Sequence, residues 1–248
     1  MGDRSGVVVT GAAQGLGRAI AERFMAGGCH VVGVDLAAEP LAAMARGREA
    51  FTAMHGDAGD PELIAEACRI ACVKGQKLRT IVLNAAISIV HPTDEYPLDD
   101  WDKVMGVNLR GVFAAAKSAR PFLAAGSSVV LLSSIAASHA LPGRVAYCAS
   151  KAGVDGLMRA LAIDWGPHGI RVNAVAPGTF RTEMLAKLVE EGKADISRYI
   201  SRIPMQRAGE AEELANAAFF LASDQASFIN GVVLPVDGGW AAAALSNV

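Results

Sequence analysis

Two spacings of apolar residues alternate along this chain. Short runs rich in valine, isoleucine and leucine predict strands, and longer stretches with one apolar face predict helices. The predicted strands are Gly6–Thr10, His30–Val34, Ala50–His55, Arg79–Leu83, Gly126–Ser133, Ile170–Val175 and Gly231–Val236. The predicted helices are Arg18–Gly27, Ala38–Gly47, Glu62–Val73, Leu98–Ala125, Tyr147–Trp165 and Glu210–Ala222.

This alternation of strands and helices predicts the fold class. It is typical of an α/β protein with a Rossmann-type, doubly wound parallel sheet of about seven strands and helices on both faces. The length of 248 residues fits one domain over residues 1–248. Within it, Glu183–Met205 is charged and interrupted by glycine, which favours a substrate lid over residues 183–205. We expect the apolar tail, Trp240–Val248, to pack on a neighbouring subunit.

The composition narrows the function classes. Hydrophobic residues make up 52% of the chain and charged residues 19%, which excludes global disorder. The formal net charge is −2 and there is no basic stripe, so no nucleic-acid partner is expected. No apolar run approaches about 18 residues, so no membrane span is expected. The first residues lead directly into a strand and leave no room for a signal peptide, which favours a cytoplasmic location.

The four cysteines lack the spacing of metal ligands. Cys68 and Cys72 are one helical turn apart, but no second cysteine pair or histidine pair completes a site. We therefore expect no metal, and we interpret all four residues, including Cys29 and Cys148, as reduced thiols that lie mostly in the core.

Tyr147 and Lys151 are four residues apart in a predicted helix, so both side chains leave the same helix face. An ammonium one turn away favours the phenolate and lowers a tyrosine pKa that is ordinarily about 10. On the spacing alone, an ordinary surface pair is the favoured interpretation. Ser134 adds to it, because it lies thirteen residues upstream at the end of the apolar run Val129–Leu132. A hydroxyl there can face the tyrosine and hold a substrate oxygen.

A glycine-rich turn, Gly11–Gly17, stands between the first predicted strand and the first predicted helix. Gly11 permits the tight turn, and Gly15 and Gly17 allow the backbone to approach a pyrophosphate at the amino terminus of the helix. Asp35 follows the second strand, where a carboxylate accepts hydrogen bonds from ribose hydroxyls and repels a 2′-phosphate. The pattern therefore predicts a dinucleotide site.

These motifs resemble those of the short-chain dehydrogenase/reductases, and the resemblance covers nearly the whole chain. Six segments match that family in order: T-G-A-A-Q-G-L-G at Thr10–Gly17, V-N-L-R-G around Asn108, Ser133-Ser134, Y-C-A-S-K at Tyr147–Lys151, A-P-G-T-F-R-T at Ala176–Thr182 and V-D-G-G at Val236–Gly239. One such match carries little weight, but six in register identify the resemblance.

The resemblance implies a catalytic set of Asn108, Ser134, Tyr147 and Lys151. Tyr147 is then the general acid/base and Ser134 binds the same substrate oxygen. Lys151 lowers the tyrosine pKa and holds the nicotinamide ribose. Asn108 interrupts its helix and holds a water that connects the lysine to solvent. Ser133 is the competing serine, and both the spacing and the family pattern favour Ser134.

The resemblance also implies which residues bind the cofactor. Gln14 stands where NADP-preferring relatives often carry a basic residue, and the basic residue Arg18 lies inside the helix. Gln14 and Asp35 therefore favour NAD over NADP. Asp57 is implied to contact the adenine, although it or Asp60 is also suited to cap the next helix. The full implied set is Gly11, Gln14, Gly15, Leu16, Gly17, Asp35, Leu36, Asp57, Ala58, Asn84, Ala85, Ala86, Tyr147, Lys151, Pro177, Gly178, Phe180 and Thr182.

One segment departs from the family pattern, which is usually N-N-A-G where this chain has Leu83-Asn84-Ala85-Ala86. Leu83 replaces a polar group at the sheet centre, and Ala86 adds a Cβ close to the expected cofactor ribose. We expect an effect on cofactor affinity or loop position and none on the chemistry.

The sequence therefore predicts an NAD-dependent oxidoreductase that transfers a hydride between a secondary alcohol or ketone and nicotinamide. The alternatives are an NADP-dependent ketoreductase of the 3-oxoacyl carrier-protein reductase type and a non-catalytic dinucleotide-binding protein. The small-molecule substrate is expected to be partly hydrophobic, and Arg144, Arg181 and His139 either meet a polar or anionic group on it or face solvent. The family's usual assembly implies a homotetramer, or a dimer.

Overall fold

The computed structural model describes residues 5–72, 77–181 and 196–243. Seven parallel strands form the central sheet, and two very short strands pair separately. In chain order the strands are β1 (Gly6–Thr10), β2 (His30–Asp35), β3 (Phe51–His55), β4 (Leu78–Leu83), β5 (Leu123–Leu132), β6 (Arg171–Pro177), β7 (Phe180–Arg181), β8 (Gly209–Glu210) and β9 (Val233–Val236). The order across the large sheet is β3-β2-β1-β4-β5-β6-β9.

Helices connect these strands and cover the sheet on both sides. They are α1 (Gly15–Ala26), α2 (Ala38–Ala45), α3 (Pro61–Ala71), α4 (Leu98–Met105), α5 (Val112–Ala119), α6 (Val145–Trp165), α7 (Ile196–Ile200) and α8 (Ala211–Ala222). The predicted fold class, an α/β protein with a doubly wound parallel sheet, is confirmed.

Strand β1 shows how the sheet buries both faces. Val8 packs in the cluster built with α3, α5 and α6, whereas Val7 and Val9 pack in the cluster built with α1 and α8. All three valines are fully buried. Because a parallel sheet covered on both faces favours apolar residues along its strands, side chains that can reach a ligand lie at the strand ends.

The predicted helix Leu98–Ala125 is divided in the structure. A π-helical turn, Gly106–Gly111, separates α4 from α5 and contains Asn108, so the interruption that the family resemblance implied is present. The predicted end at Ala125 was wrong, because helical structure stops at Phe122 and β5 begins at Leu123. Pro121 explains the difference, since proline cannot continue an α-helix.

Strands β1 and β4 lie at the centre of the sheet, where the strand order reverses direction. In such sheets a ligand crevice opens at the carboxyl ends of the strands beside this point. Asn84 joins the two strand ends there, because its Nδ2 donates hydrogen bonds to the carbonyls of Thr10 (2.9 Å) and Gly11 (3.0 Å). Leu83, the departure from the family pattern, is 2% exposed and packs in the core.

The proposed lid and tail are described only in part. Residues 183–195 and 244–248 lie outside the described residues. At the carboxyl end of the predicted lid, Ile203 is buried against Ile135 and Trp240. Trp240 begins the tail that was expected on a neighbouring subunit, and it packs within its own chain, also contacting the ring of His139 at 5.1 Å.

Three further findings concern the described residues only. No helix in this part of the chain is long and apolar enough to cross a membrane. No group of three or more metal-ligating side chains is close enough to hold an ion. None of the four cysteines is in a disulfide, and burial raises the pKa of Cys68 to about 12.

Candidate active site

A cleft of about 880 Å³ opens along the carboxyl edge of the sheet. Its lining includes most of the predicted cofactor residues: Gly11, Gln14, Gly15, Leu16, Gly17, Asp35, Leu36, Asp57, Ala58, Asn84, Ala85, Ala86, Tyr147, Lys151 and Pro177. We call the part formed by Gly11–Gly17 and Asp35 the cofactor end. We call Tyr147 and Lys151, which line the cleft, together with the adjacent side chains of Ser134 and Asp155, the reaction end.

The glycine turn leads into α1 with its backbone exposed to the cleft. Gly11 and Gly15 adopt positive φ angles of 64° and 54°, which glycine tolerates without strain. A Cβ on Gly17 would lie 1.9 Å from the Gly11 carbonyl oxygen, so no side chain fits there. The first turn of α1 has no acidic residue and no side-chain cap at Gln14. Its free N–H groups therefore form an anion site.

Asp35 is fixed by backbone at the far side of this turn. One carboxylate oxygen accepts a hydrogen bond from the Ala13 N–H at 2.9 Å, and the other accepts one from the Ala37 N–H at 2.8 Å. Each oxygen keeps a lone pair that can accept a further hydrogen bond. Arg18 forms an ion pair with Glu22 at 3.2 Å, so it does not neutralise this carboxylate.

The structure assigns different roles to the two aspartates that follow β3, Asp57 and Asp60. Asp60 caps α3, because its carboxylate accepts a hydrogen bond from the Glu62 N–H at 2.9 Å. Asp57 closes a turn by accepting from the Gly59 N–H at 2.8 Å, and it lines the cleft. The capping role therefore belongs to Asp60, and Asp57 remains a candidate contact for a nucleotide.

The two adjacent serines after β5 have different partners. The Ser133 hydroxyl donates to the Asp155 carboxylate at 2.5 Å. The Ser134 oxygen accepts from the Ala136 N–H at 3.1 Å, and the same hydroxyl lies close enough to the Tyr147 phenol to lower the pKa of that phenol. Ser133 lines the cleft and Ser134 does not, but it is Ser134 that interacts with the tyrosine.

Burial raises the pKa of Tyr147, and the hydrogen bond with Ser134 and the positive charge of Arg144 act in the opposite direction. The Lys151 ammonium lies 5.8 Å from the centroid of the Tyr147 ring. In the chain alone, burial therefore outweighs the favourable charges, and a tyrosine acting as a base here requires further positive charge at the site.

Lys151 is almost fully buried at the reaction end. Its Nζ donates a hydrogen bond to the Leu132 carbonyl at 2.6 Å. Burial lowers the pKa of Lys151 to about 8, and the Asp155 carboxylate opposes that shift. Two of the three ammonium protons remain for other partners.

Sequence reasoning missed Asp155. It lies one helical turn beyond Lys151 and two beyond Tyr147, so all three occupy one face of α6. Burial raises the pKa of Asp155, and Ser133, Arg159 and Lys151 lower it. Extending the four-residue spacing of Tyr147 and Lys151 by one more step would have found it.

Asn108 lies behind the cleft and does not line it. Its amide exchanges two hydrogen bonds with the backbone of Ile87, at 2.8 and 2.9 Å. It also donates to the Ser150 hydroxyl at 3.1 Å, and that hydroxyl donates to the Tyr147 carbonyl. Asn108 therefore joins the loop after β4 to the turn of α6 that carries Tyr147.

The segment after β6 is only partly brought to the site. Pro177 lines the cleft, whereas the Gly178 N–H donates to the Val236 carbonyl at 3.0 Å. The Phe180 side chain is buried in the core, so only its backbone is available to a ligand. Thr182 lies outside the described residues.

The structure places the three candidate contacts for a polar substrate group in different surroundings. Arg144 lines the cleft next to Tyr147. Arg181 pairs with Glu210 at 3.4 Å on the surface. His139 packs edge-on against Trp240 and hydrogen-bonds the Ser138 hydroxyl. Only Arg144 is positioned in the cleft.

Comparison with known proteins identifies the family. A family model described as enoyl-(acyl carrier protein) reductase matches residues 11–241. D-threitol dehydrogenase of Mycolicibacterium smegmatis is 37% identical over 239 residues, which cover 94% of this chain and 91% of that protein. An uncharacterized short-chain type dehydrogenase/reductase of Sinorhizobium fredii is 36% identical over 94% of this chain, and the match spans 43% of that longer protein. The chain belongs to the short-chain dehydrogenase/reductase family.

Structural similarity supports this membership. The crystal structure of levodione reductase has a TM-score of 0.88 to this short-chain dehydrogenase/reductase, with 32% sequence identity over 97% of this chain and 98% of the other. Membership makes the protein an oxidoreductase of alcohol or ketone substrates and implies an NAD(P) cofactor. The cofactor end fits that group, because Gly17 leaves a cradle that a Cβ would fill and the start of α1 offers free N–H groups.

Proposed function

We propose that this protein is an NAD-dependent dehydrogenase of secondary alcohols, and reductase of the corresponding ketones, with Tyr147 as its general acid/base. One observation carries the proposal. Ser134, Tyr147 and Lys151 are close together at the end of the cleft away from Asp35, where the serine hydroxyl lowers the pKa of the tyrosine and the lysine is hydrogen-bonded to β5. A non-catalytic binding protein has no need of a buried, depressed-pKa lysine beside a buried phenol.

Each residue has a defined role in the proposed reaction. Tyr147 accepts the proton of the substrate hydroxyl during oxidation and returns it during reduction. Ser134 donates a hydrogen bond to the same substrate oxygen. Lys151 adds positive charge beside the phenol and offers its remaining protons to the cofactor ribose. Asn108 orients the turn that carries Tyr147 and sustains the proton path to water. When bound, the nicotinamide ring accepts or supplies the hydride.

Residues at the cofactor end favour NAD over NADP. The unneutralised Asp35 carboxylate suits two ribose hydroxyls and repels a 2′-phosphate. Arg18, which directly follows Gly17, forms an ion pair with Glu22, and the residue after Asp35 is the exposed Leu36. The amides at the start of α1 would hold the pyrophosphate, with Gln14 beside them.

The cofactor assignment is tested by titrating NADH and NADPH in parallel and following their fluorescence. We expect NADH to bind at least about tenfold more tightly, because Asp35 discriminates through charge repulsion. An Asp35→Ser variant should reduce that ratio. Tighter NADPH binding by the unaltered protein would refute the assignment and favour the ketoacyl reductase alternative.

The chemistry is tested with a panel of secondary alcohols and NAD⁺. Oxidation should rise with pH and ketone reduction should fall, because the phenol must lose its proton for one direction and keep it for the other. Tyr147→Phe should lower kcat by about 10²- to 10⁴-fold while NADH still binds. Unchanged turnover in this variant would rule out Tyr147 as the acid/base.

The surface favours a homo-oligomer, a tetramer or a dimer. An apolar groove of about 550 Å³, with Leu109, Phe113 and Leu157 in its lining, lies between the π-helical turn, α5 and α6. Phe113 is 48% exposed there, and Ile163 on α6 is 77% exposed. Light scattering on a Phe113→Glu variant tests whether this face joins subunits. The absence of disulfides among the described cysteines is compatible with the cytoplasmic location expected from the sequence.

A further inference from the structure

Arg144 has no acidic partner among the residues that the structure describes. It precedes the first turn of α6, three positions before Tyr147, and lines the cleft. Its guanidinium donates one hydrogen bond, at 3.1 Å, to the neutral hydroxyl of Ser88. The described ion pairs do not include it. Most of its five N–H donors are therefore available to a ligand.

The charges that line the cleft are separated along its length. Among the acidic lining residues, Asp35 ends β2 and Asp57 follows β3, whereas Arg144 lies in the segment after β5. Strands β1 and β4 stand between β2 and β5 in the sheet. Neither carboxylate forms an ion pair with Arg144 in the described part of the chain.

Arg144 is within electrostatic reach of the reacting group. Its positive charge lowers the pKa of Tyr147, opposing the effect of burial. Ile87 supplies apolar surface to the same cleft, next to Ser88. A substrate whose hydroxyl contacts Tyr147 and Ser134 therefore has apolar contacts and one accessible guanidinium nearby. A guanidinium binds a carboxylate through two parallel hydrogen bonds, a geometry that no other side chain offers.

We infer that Arg144 is a substrate-binding residue, and that the preferred substrates are secondary alcohols or ketones carrying a carboxylate a few carbons from the reacting carbon. This inference rests on the proposed function and specifies its substrate class. Arg144 makes the site selective because an uncharged analogue leaves the guanidinium without its partner.

The test uses three hydroxy acids of increasing length, 3-hydroxybutanoate, 4-hydroxypentanoate and 5-hydroxyhexanoate, each compared with its carboxamide. The carboxamide has almost the same shape and no charge. We expect kcat/KM with NAD⁺ to favour the carboxylate at one chain length at least. Arg144→Gln should lower kcat/KM for that carboxylate by about 10- to 100-fold. The same variant should lower kcat/KM for the carboxamide by a clearly smaller factor, because with that substrate it acts only by removing the charge that lowers the pKa of Tyr147. Arg144→Lys should fall between.

Two control variants separate the guanidinium from general positive charge. Lys103→Gln removes a cation that lines the cleft from α4, and Arg46→Gln removes an exposed arginine outside the cleft. Both should keep the preference for carboxylate over carboxamide. If Lys103→Gln abolishes that preference instead, the anion site belongs to Lys103 and the inference about Arg144 is overturned.

The remaining outcomes distinguish this inference from the proposed function. Turnover of 2-butanol and the carboxamides without preference for any carboxylate overturns the inference and leaves the function intact. An equal fall for carboxylate and carboxamide in Arg144→Gln also overturns it, because Arg144 then acts through Tyr147 alone. Absence of turnover of all these alcohols with both NAD⁺ and NADP⁺ refutes the proposed function, and with it the inference.

Discussion

The two ends of the cleft are made from different parts of the chain. The cofactor end consists mainly of backbone: glycines with positive φ, free N–H groups of α1, and Asp35 held by two backbone N–H groups. The reaction end consists of buried side chains, and burial shifts the pKa of both Tyr147 and Lys151. Binding therefore depends on local chain geometry, whereas reactivity depends on which side chains share an enclosed space.

Among variants that keep both Tyr147 and Lys151, the largest effect should come from the serines of the reaction end. Ser134→Ala removes the hydroxyl that interacts with Tyr147, so kcat/KM should fall about 10²- to 10³-fold. Ser133→Ala removes a hydroxyl bonded to Asp155, so its loss should stay below about tenfold. Steady-state kinetics with both variants, compared at equal NADH affinity, checks this. Similar losses would mean that the reaction end does not distinguish the two hydroxyls.

A smaller effect is expected at the cofactor end. Gly17→Ala inserts a Cβ 1.9 Å from the Gly11 carbonyl oxygen, so the turn must move. Such overpacking costs about 1–3 kcal/mol, and NADH affinity should weaken by about 10- to 100-fold. Fluorescence titration measures the affinity, and circular dichroism verifies the fold. A variant that binds NADH normally would show that the turn does not need its observed geometry.

Lys151→Met should increase the stability of the protein while abolishing turnover. The folded-state pKa of about 8 lies below the ordinary value, so at pH 7 the charged lysine opposes folding. The cost is about 3 kcal/mol, and losing the hydrogen bond to Leu132 reduces the gain by about 1 kcal/mol.

The sign of this effect gives its pH dependence. Between pH 8 and about 10.5 the unfolded chain binds the proton more tightly, so the wild-type protein gains stability as pH rises. The advantage of Lys151→Met should therefore be greatest below pH 8 and shrink above it. Denaturant unfolding of both proteins across this range measures the difference, and a difference independent of pH would contradict it.

The smallest predicted effect concerns Asp155. Its carboxylate raises the pKa of Lys151, so Asp155→Asn should lower that pKa further and deprotonate Lys151 at lower pH. The ratio of activity at pH 8 to activity at pH 6.5 should be about threefold lower in this variant than in the unaltered protein, a size typical of one interacting charge. The pH profile of kcat/KM measures this shift. Asp164→Asn, an exposed change on the same helix, is the control, and identical profiles would exclude a role for Asp155.

The cofactor end was the part most readily predicted from sequence. Gly11, Gly15, Gly17 and Asp35 are close together in the chain, and glycine at those positions has a local reason that the observed φ angles and the missing Cβ at Gly17 bear out. The strand pattern gave the fold class for the same reason, since alternating apolar runs have local periodicity. The end of the helix after Asn108 was misplaced, although Pro121 was visible.

At the reaction end, the spacing of Tyr147 and Lys151 gave a shared helix face, and no more. The sequence could not show that Ser133 is hydrogen-bonded to Asp155, that Asn108 is hydrogen-bonded to the backbone of Ile87, or that Phe180 is a core residue. It also could not distinguish Arg144, Arg181 and His139 as contacts for a polar substrate group. These distinctions depend on contacts between residues far apart in the chain.

The amino-acid sequence by itself determined the sheet, the glycine turn and the residue types available for chemistry, because periodicity and backbone freedom are local properties. Only the tertiary structure decided which of those side chains face one another and how strongly burial opposes their charges. Lys151 illustrates the division: its place on the helix follows from counting residues, whereas its pKa of about 8 follows from the enclosure that β5 and α6 form around it.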